Sequence, residues 1–149
     1  MATRLPPRIP LALLAIAVIS LLGSLALATL QHDIHFNTLE TEVSFWGQGS
    51  YMPTDETRAR TGEGIEQLVT SAPENANYHA LQASQLAWES YWQQNKTQAQ
   101  QAVQAQQKAL NWRPARIQDQ QLMVEYSERA DATQPAAGTV ADSDQAVTP

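Results

Sequence analysis

The chain has 149 residues, 43% of them hydrophobic, with fifteen acidic side chains against nine basic ones, a formal net charge of −6 and no cysteine. Disulfides and thiolate chemistry are thereby excluded. Once an apolar N-terminal run is set aside, about 120 residues remain, enough for one small domain but not for a large catalytic core.

Residues 1–8 carry Arg4 and Arg8, and Ile9 to Leu30 follow as twenty-two residues without a charge. A helix of that length crosses a bilayer once. No Lys or Arg occurs between Leu30 and Arg58, so the positive-inside bias places the N-terminus in the cytoplasm and nearly everything else across the membrane. Ala26-Leu27-Ala28 also fits a signal-peptide cleavage site, but the run exceeds the roughly 7–15 apolar residues of a signal h-region, which favours an uncleaved anchor. Within it, Ser20, Ser24 and Ala28 form a row of small residues four apart, the pattern that lets a second membrane helix pack closely.

After the run, Ile34, Leu39, Val43 and Trp46 recur near helical spacing, so the helix is expected to continue through a juxtamembrane segment, 31–50, until Gly47-Gln48-Gly49-Ser50 stops it. Thr54 with Asp55 and Glu56 marks the next start, and the helix bearing Ile65, Leu68 and Val69 should end near Ser71. Gly62 and Gly64 predict a late start or a kink there, each costing about 1 kcal/mol relative to alanine. Pro73 breaks the chain, and Asn75 or Asn77 caps a long helix with Tyr78, Leu81, Leu86, Trp88, Tyr91 and Trp92.

Gln93 to Lys96 make a polar turn. From Thr97, Ala99, Ala102, Val103, Gln106, Ala109 and Leu110 share one side of a further helix, which Trp112-Arg113-Pro114 ends. Ala115 to Ala130 form the last helix, with Ile117, Leu122, Val124 and Tyr126 among its apolar positions. Residues 131–149 hold too little bulky apolar surface to offset ordering entropy and read as a disordered tail. The whole is an all-α protein: a single transmembrane helix at 9–30 and a small helical domain at 51–130.

Shifting the sequence by forty-one residues superimposes Pro73 on Pro114 and Leu81 on Leu122. Ala102, Ala109 and Pro114 match the spacing in the second helix of a tetratricopeptide repeat, with Tyr78, Leu81 and Trp88 as large packers on the first. The period exceeds that family's thirty-four residues, the first-helix glycine is missing, and Gln106 replaces a large apolar residue. The anchor, the short helical domain, the segment Ser-Ala-Pro-Glu-Asn-Ala-Asn-Tyr-His-Ala-Leu at 71–81 and the segment Lys-Ala-Leu-Asn-Trp-Arg-Pro-Ala at 108–115 together resemble the VpsP-type family, over roughly residues 9–126. That resemblance implies a small accessory protein of bacterial exopolysaccharide biosynthesis, sited in the inner membrane with its bulk periplasmic and with envelope polysaccharide machinery as its protein partners. It supplies no catalytic motif.

The residues themselves point the same way. His32 and His35 share a helix face but lack a third metal ligand, so they read as polar interfacial residues. His79 reads as a surface or hydrogen-bonding residue. Glu63, Glu66 and Glu74 form no carboxylate pair at a fixed spacing, and neither a nucleophile elbow nor a phosphate loop occurs. No enzyme activity, metal or cofactor is expected, and downstream of Leu30 seven basic against fifteen acidic residues, a net of −8, argue against nucleic acid as a partner. Trp88 and Trp92 are expected in the core, with Tyr91, Trp112, Arg113 and Arg116 as the surface for a partner or a glycan. The alternatives are a glycan-binding module using Trp88, Trp92 or Trp112, and a scaffold of a pilus or secretion system.

Overall fold

The structure, a computed structural model, describes residues 8–132. These fold into α1 (Arg8–Phe45), α2 (Asp55–Ser71), α3 (Ala76–Gln93), α4 (Lys96–Trp112) and α5 (Ile117–Ala132), with no strand among the described residues. Most of the expected tail lies outside them. So do the side chain of Ala28 and residues 1–7.

α1 is one unbroken helix of 38 residues, about 57 Å long. It is long and apolar enough to cross a membrane, and its apolar window is entirely uncovered by the rest of the chain. Ser20 and Ser24 are exposed on it, and the Ser24 hydroxyl donates back to the Leu21 carbonyl at 2.8 Å. Beyond the apolar run the same helix becomes a wall of the domain core. Leu39, Val43 and Trp46 are buried and Phe36 packs with them, spacings of three, four and three that keep one face inward. Ile34, expected on that stripe, is 58% exposed; it falls out of phase with the other three, and Phe36 takes the inward place.

The starts and stops follow from capping. Thr54 accepts from the Thr57 N–H, Asn75 from the Asn77 N–H and Asn95 from the Thr97 N–H, so α2, α3 and α4 each begin on a side-chain acceptor. α5 begins at Ile117, two residues later than expected. α2 starts at Asp55 and continues through both glycines. A Cβ on Gly64 would sit 3.0 Å from His35 Nε2 and from Leu39 Cδ1, so the missing side chain is what lets α2 lie against α1.

Two clusters fill the interior. Ile65, Leu68, Tyr78 and Leu81 join the α1 stripe, with Trp88 and Trp92 packed on the edge. Ala83, Ala87, Ala102, Ala105 and Tyr126 form the second, where small residues let α3 and α4 approach closely over most of their length. Each helix packs on its neighbours in sequence and α1 also reaches α3. Ile117 and Val124, assigned to the apolar side of the last helix, are 69% and 58% exposed, because among the described residues no further helix covers the outer side of α5.

The two proline turns are copies of one another. Ala72 and Arg113 end α2 and α4 with closely similar dihedrals (φ −146°, ψ 77° and φ −136°, ψ 60°), and their N–H groups donate to Leu68 and Ala109 carbonyls. Asn75 N–H bonds Ala72 O at 3.0 Å and Arg116 N–H bonds Arg113 O at 3.2 Å. His79 Nε2 lies 2.7 Å from Pro73 O, and Gln120 Nε2 donates to Pro114 O at 2.7 Å. All of these pairs are forty-one residues apart.

Gly47, at φ +72°, lies against the Trp88 ring, and a Cβ there would come within 2.1 Å of it; Gly49, at φ +56°, faces open space. Gly47→Ala should therefore cost about 3 kcal/mol, the left-handed penalty plus overpacking, and Gly49→Ala only about 1 kcal/mol. Urea unfolding of the full-length protein in detergent micelles, followed by circular dichroism, measures both.

Candidate functional site

At the end of the domain farthest along α1, three indoles assemble. Trp46, the residue after α1, meets Trp92 at a ring-centroid distance of 5.2 Å, and Trp92 stacks on Trp88 at 5.5 Å. The Arg58 guanidinium from α2 lies 5.3 Å over Trp92 and reaches Glu89 Oε2 at 3.2 Å. Glu89 is buried and also accepts from Gln93 Nε2 at 2.7 Å. Its charge is thus matched inside the fold, and Arg58 and Glu89 act as a clasp between α2 and α3. Trp88 and Trp92, expected in the core, pack against its edge, each half-buried.

A second polar group closes the α4–α5 corner. Asp119 is 2% exposed and sits 3.0 Å from Arg113 Nη2, while its backbone carbonyl accepts from Gln106 Nε2 at 2.9 Å. Arg113 also bonds the Asn77 side chain and, at 3.4 Å, the Ala76 carbonyl. Under the forty-one-residue shift Gln106 falls on Ile65 and Asp119 on Tyr78, two members of the first apolar cluster. The second unit has therefore exchanged an apolar pair for a polar one, with Arg113 as its counter-charge.

Between α1, α3 and α5 runs a groove of about 580 Å³. Val43 and Leu81 lie in its floor, with Glu40 on one wall, Glu125 on the other and Arg113 and Arg116 at one end. Tyr126, on α5, meets the Ser84 hydroxyl across it at 3.2 Å. Burial holds the Tyr126 phenol above its ordinary range, and burial likewise raises Tyr78, helped by the negative charge of Asp33.

The four residues expected to share a contact surface do not. Arg113 and Arg116 line the groove. Trp112, 59% exposed, stands just before them at the same corner. Tyr91, equally exposed, is at the other end of α3, about 21 Å of helix away from Asn77. Of the glutamines, 100, 101, 104 and 107 face solvent and Gln106 is fully buried. His79 is buried at the first proline turn and hydrogen-bonded there, whereas His32 and His35 are exposed. Among the described residues no three His, Cys, Asp or Glu side chains converge on a metal position. Compared with known proteins, the chain matches no family model, no curated protein and no solved structure.

Removing one partner of the buried corner pair should be expensive. Asp119→Ala is expected to lower stability by about 3 kcal/mol, with the Arg113→Ala, Asp119→Ala double variant costing less than the sum of the single ones, in urea unfolding of the full-length protein.

Alkaline pH offers a separate check. The unfolded chain loses tyrosine protons near pH 10, whereas folded Tyr126 and Tyr78 hold theirs higher. Their contribution is complete below about pH 10 and is lost as pH rises through the folded values. Tyr126→Phe should flatten the fall in melting temperature above pH 10, and an unchanged slope would assign the effect to other groups.

Proposed function

We propose that the chain is a single-span protein of a bacterial inner membrane whose periplasmic domain, tetratricopeptide-like in its helical hairpins, holds partner proteins of the envelope polysaccharide machinery without catalysing a reaction. The observation that carries this reading is the groove between α1, α3 and α5, rigidly continuous with the apolar segment of α1. Its walls mix carboxylates, arginines and apolar floor, a lining suited to an amphipathic protein segment. The repeated proline turn supports a hairpin-repeat architecture, and Arg4 and Arg8 support a cytoplasmic N-terminus.

Photocrosslinking residues at Ser44 and Gln118, inside the groove, should join the protein to a glycosyltransferase or export-channel component in intact membranes. Position Gln67 on the outer side of α2 should not. Ala80→Trp, which plugs the groove, should cut the adduct at least fivefold with the helical spectrum unchanged. Adducts confined to pilus or secretion components would overturn the polysaccharide assignment.

A second reading has its own observation. Trp88, Trp92, Tyr51 and Tyr91 border a hollow of about 470 Å³ at the tryptophan end, and aromatic faces of this kind bind sugars by stacking. Titrating the protein with polysaccharide oligomers distinguishes the two: a saturable tryptophan fluorescence change, lost in Trp88→Leu but kept in Trp112→Leu, would establish a glycan site there.

A further inference from the structure

If α1 spans the bilayer as proposed above, its direction decides which end of every other helix faces the membrane. α3 runs parallel to α1. Tyr78, in its first turn, lies 5.4 Å from Phe36 between ring centroids, and Trp92, in its last, lies 5.2 Å from Trp46. Phe36 stands six residues beyond Leu30, about 9 Å along the helix axis. α4 returns toward the same end, where Arg113 is hydrogen-bonded to Asn77 and Ala76 in the first turn of α3. The α4–α5 turn is thereby held near the height of Phe36, about 2–4 Å outside the polar headgroup layer, which extends roughly 5–7 Å beyond the hydrocarbon and lies within reach of a large side chain.

That turn carries two large apolar side chains that no described residue covers, Trp112 at 59% and Ile117 at 69% exposure. Arg116 and Lys108 are exposed beside them. Ile117 opens α5, so its Cα–Cβ bond tilts toward the membrane end, whereas Trp112 closes α4, whose N-terminus lies at the far end, and is brought near the membrane by its place at the turn rather than by that tilt. An indole, a branched aliphatic chain and cationic side chains with long stems are the chemistry of an interfacial anchor. A soluble protein partner has no comparable reason to require this placement.

We propose that the α4–α5 turn is a second membrane contact, with Trp112 and Ile117 entering the headgroup layer of the leaflet from which α1 emerges. The contact is apolar in character, since the domain is acidic overall, and it holds on uncharged lipid. It rests on the reading of α1 as a span, and its test separates the two.

The chain has no cysteine, so Ala17→Cys, Tyr91→Cys, Trp112→Cys and Ile117→Cys each give one attachment point for a nitroxide. In full-length protein reconstituted in phosphatidylcholine vesicles, the ratio of oxygen to nickel-complex accessibility reports depth. Labels at 112 and 117 should give ratios severalfold above that at 91, and the label at 17 the highest. Ratios at 112 and 117 equal to that at 91, with 17 still buried, would overturn the second contact and leave the span intact. A ratio at 17 equal to that at 91 would remove both. Because labelling replaces an anchor residue, a label at Ala115→Cys is the complementary probe: combining Trp112→Ser with Ile117→Ser should lower its ratio severalfold, and no change would refute the contact.

Discussion

The domain depends on one stretch, Phe36 to Trp46, formed by the end of α1 and the residue that follows it. Four inward side chains on a single face supply a wall of the first cluster, and the aromatic residues of α3 pack against them. α2 is held to the same wall by the close approach at Gly64, and by the Arg58–Glu89 clasp to α3. α4 and α5 depend on α1 only indirectly, through the alanine-lined face of α3. Apolar burial at this stretch thus orders the rest, with hydrogen bonds and ion pairs fixing the register of what it brings together.

The two halves solve the same backbone problem with different chemistry. Both proline turns share their dihedrals and their carbonyl acceptors at Pro73 and Pro114, yet one is filled by Ile65 and Tyr78 and the other by Gln106, Asp119 and Arg113. Burying an acidic side chain demands a partner, which explains why Arg113 is committed to the fold rather than left to a ligand. An apolar corner tolerates sliding; one built on a buried ion pair at 3.0 Å accepts fewer arrangements. The second unit is therefore the more sharply specified of the two.

Much of the helical framework could be read from local chemistry, because Thr54, Asn75, Asn95 and the two prolines act on the backbone within a few residues of themselves. The forty-one-residue repeat was legible for the same reason. What escaped was tertiary. Asp119 and Glu89 look like surface charges until the distant arginines that pair with them are known, and Gly64 looks like a helix weakness until α1 is laid across it. Ile34 and Phe36 differ only in phase, which a short apolar pattern leaves open. The exposure of Tyr91 and Trp112 was readable one residue at a time, but their separation to opposite ends depends on the antiparallel return of α4.

If α1 spans a bilayer as proposed, the absence of a joint within it makes the protein a lever. Twenty-two apolar residues measure about 33 Å against a hydrocarbon thickness of roughly 30 Å, so a span of this length tilts, and tilts further in a thinner bilayer. With no hinge between Leu30 and Phe45, every degree of that tilt is transmitted to the groove, altering its height and the direction it faces. Two helix spacings out, about 20 Å from such a span, the proposed contact at the α4–α5 turn would act as an outrigger that limits the swing. Lipid composition would then set the angle at which this domain presents itself to whatever it holds.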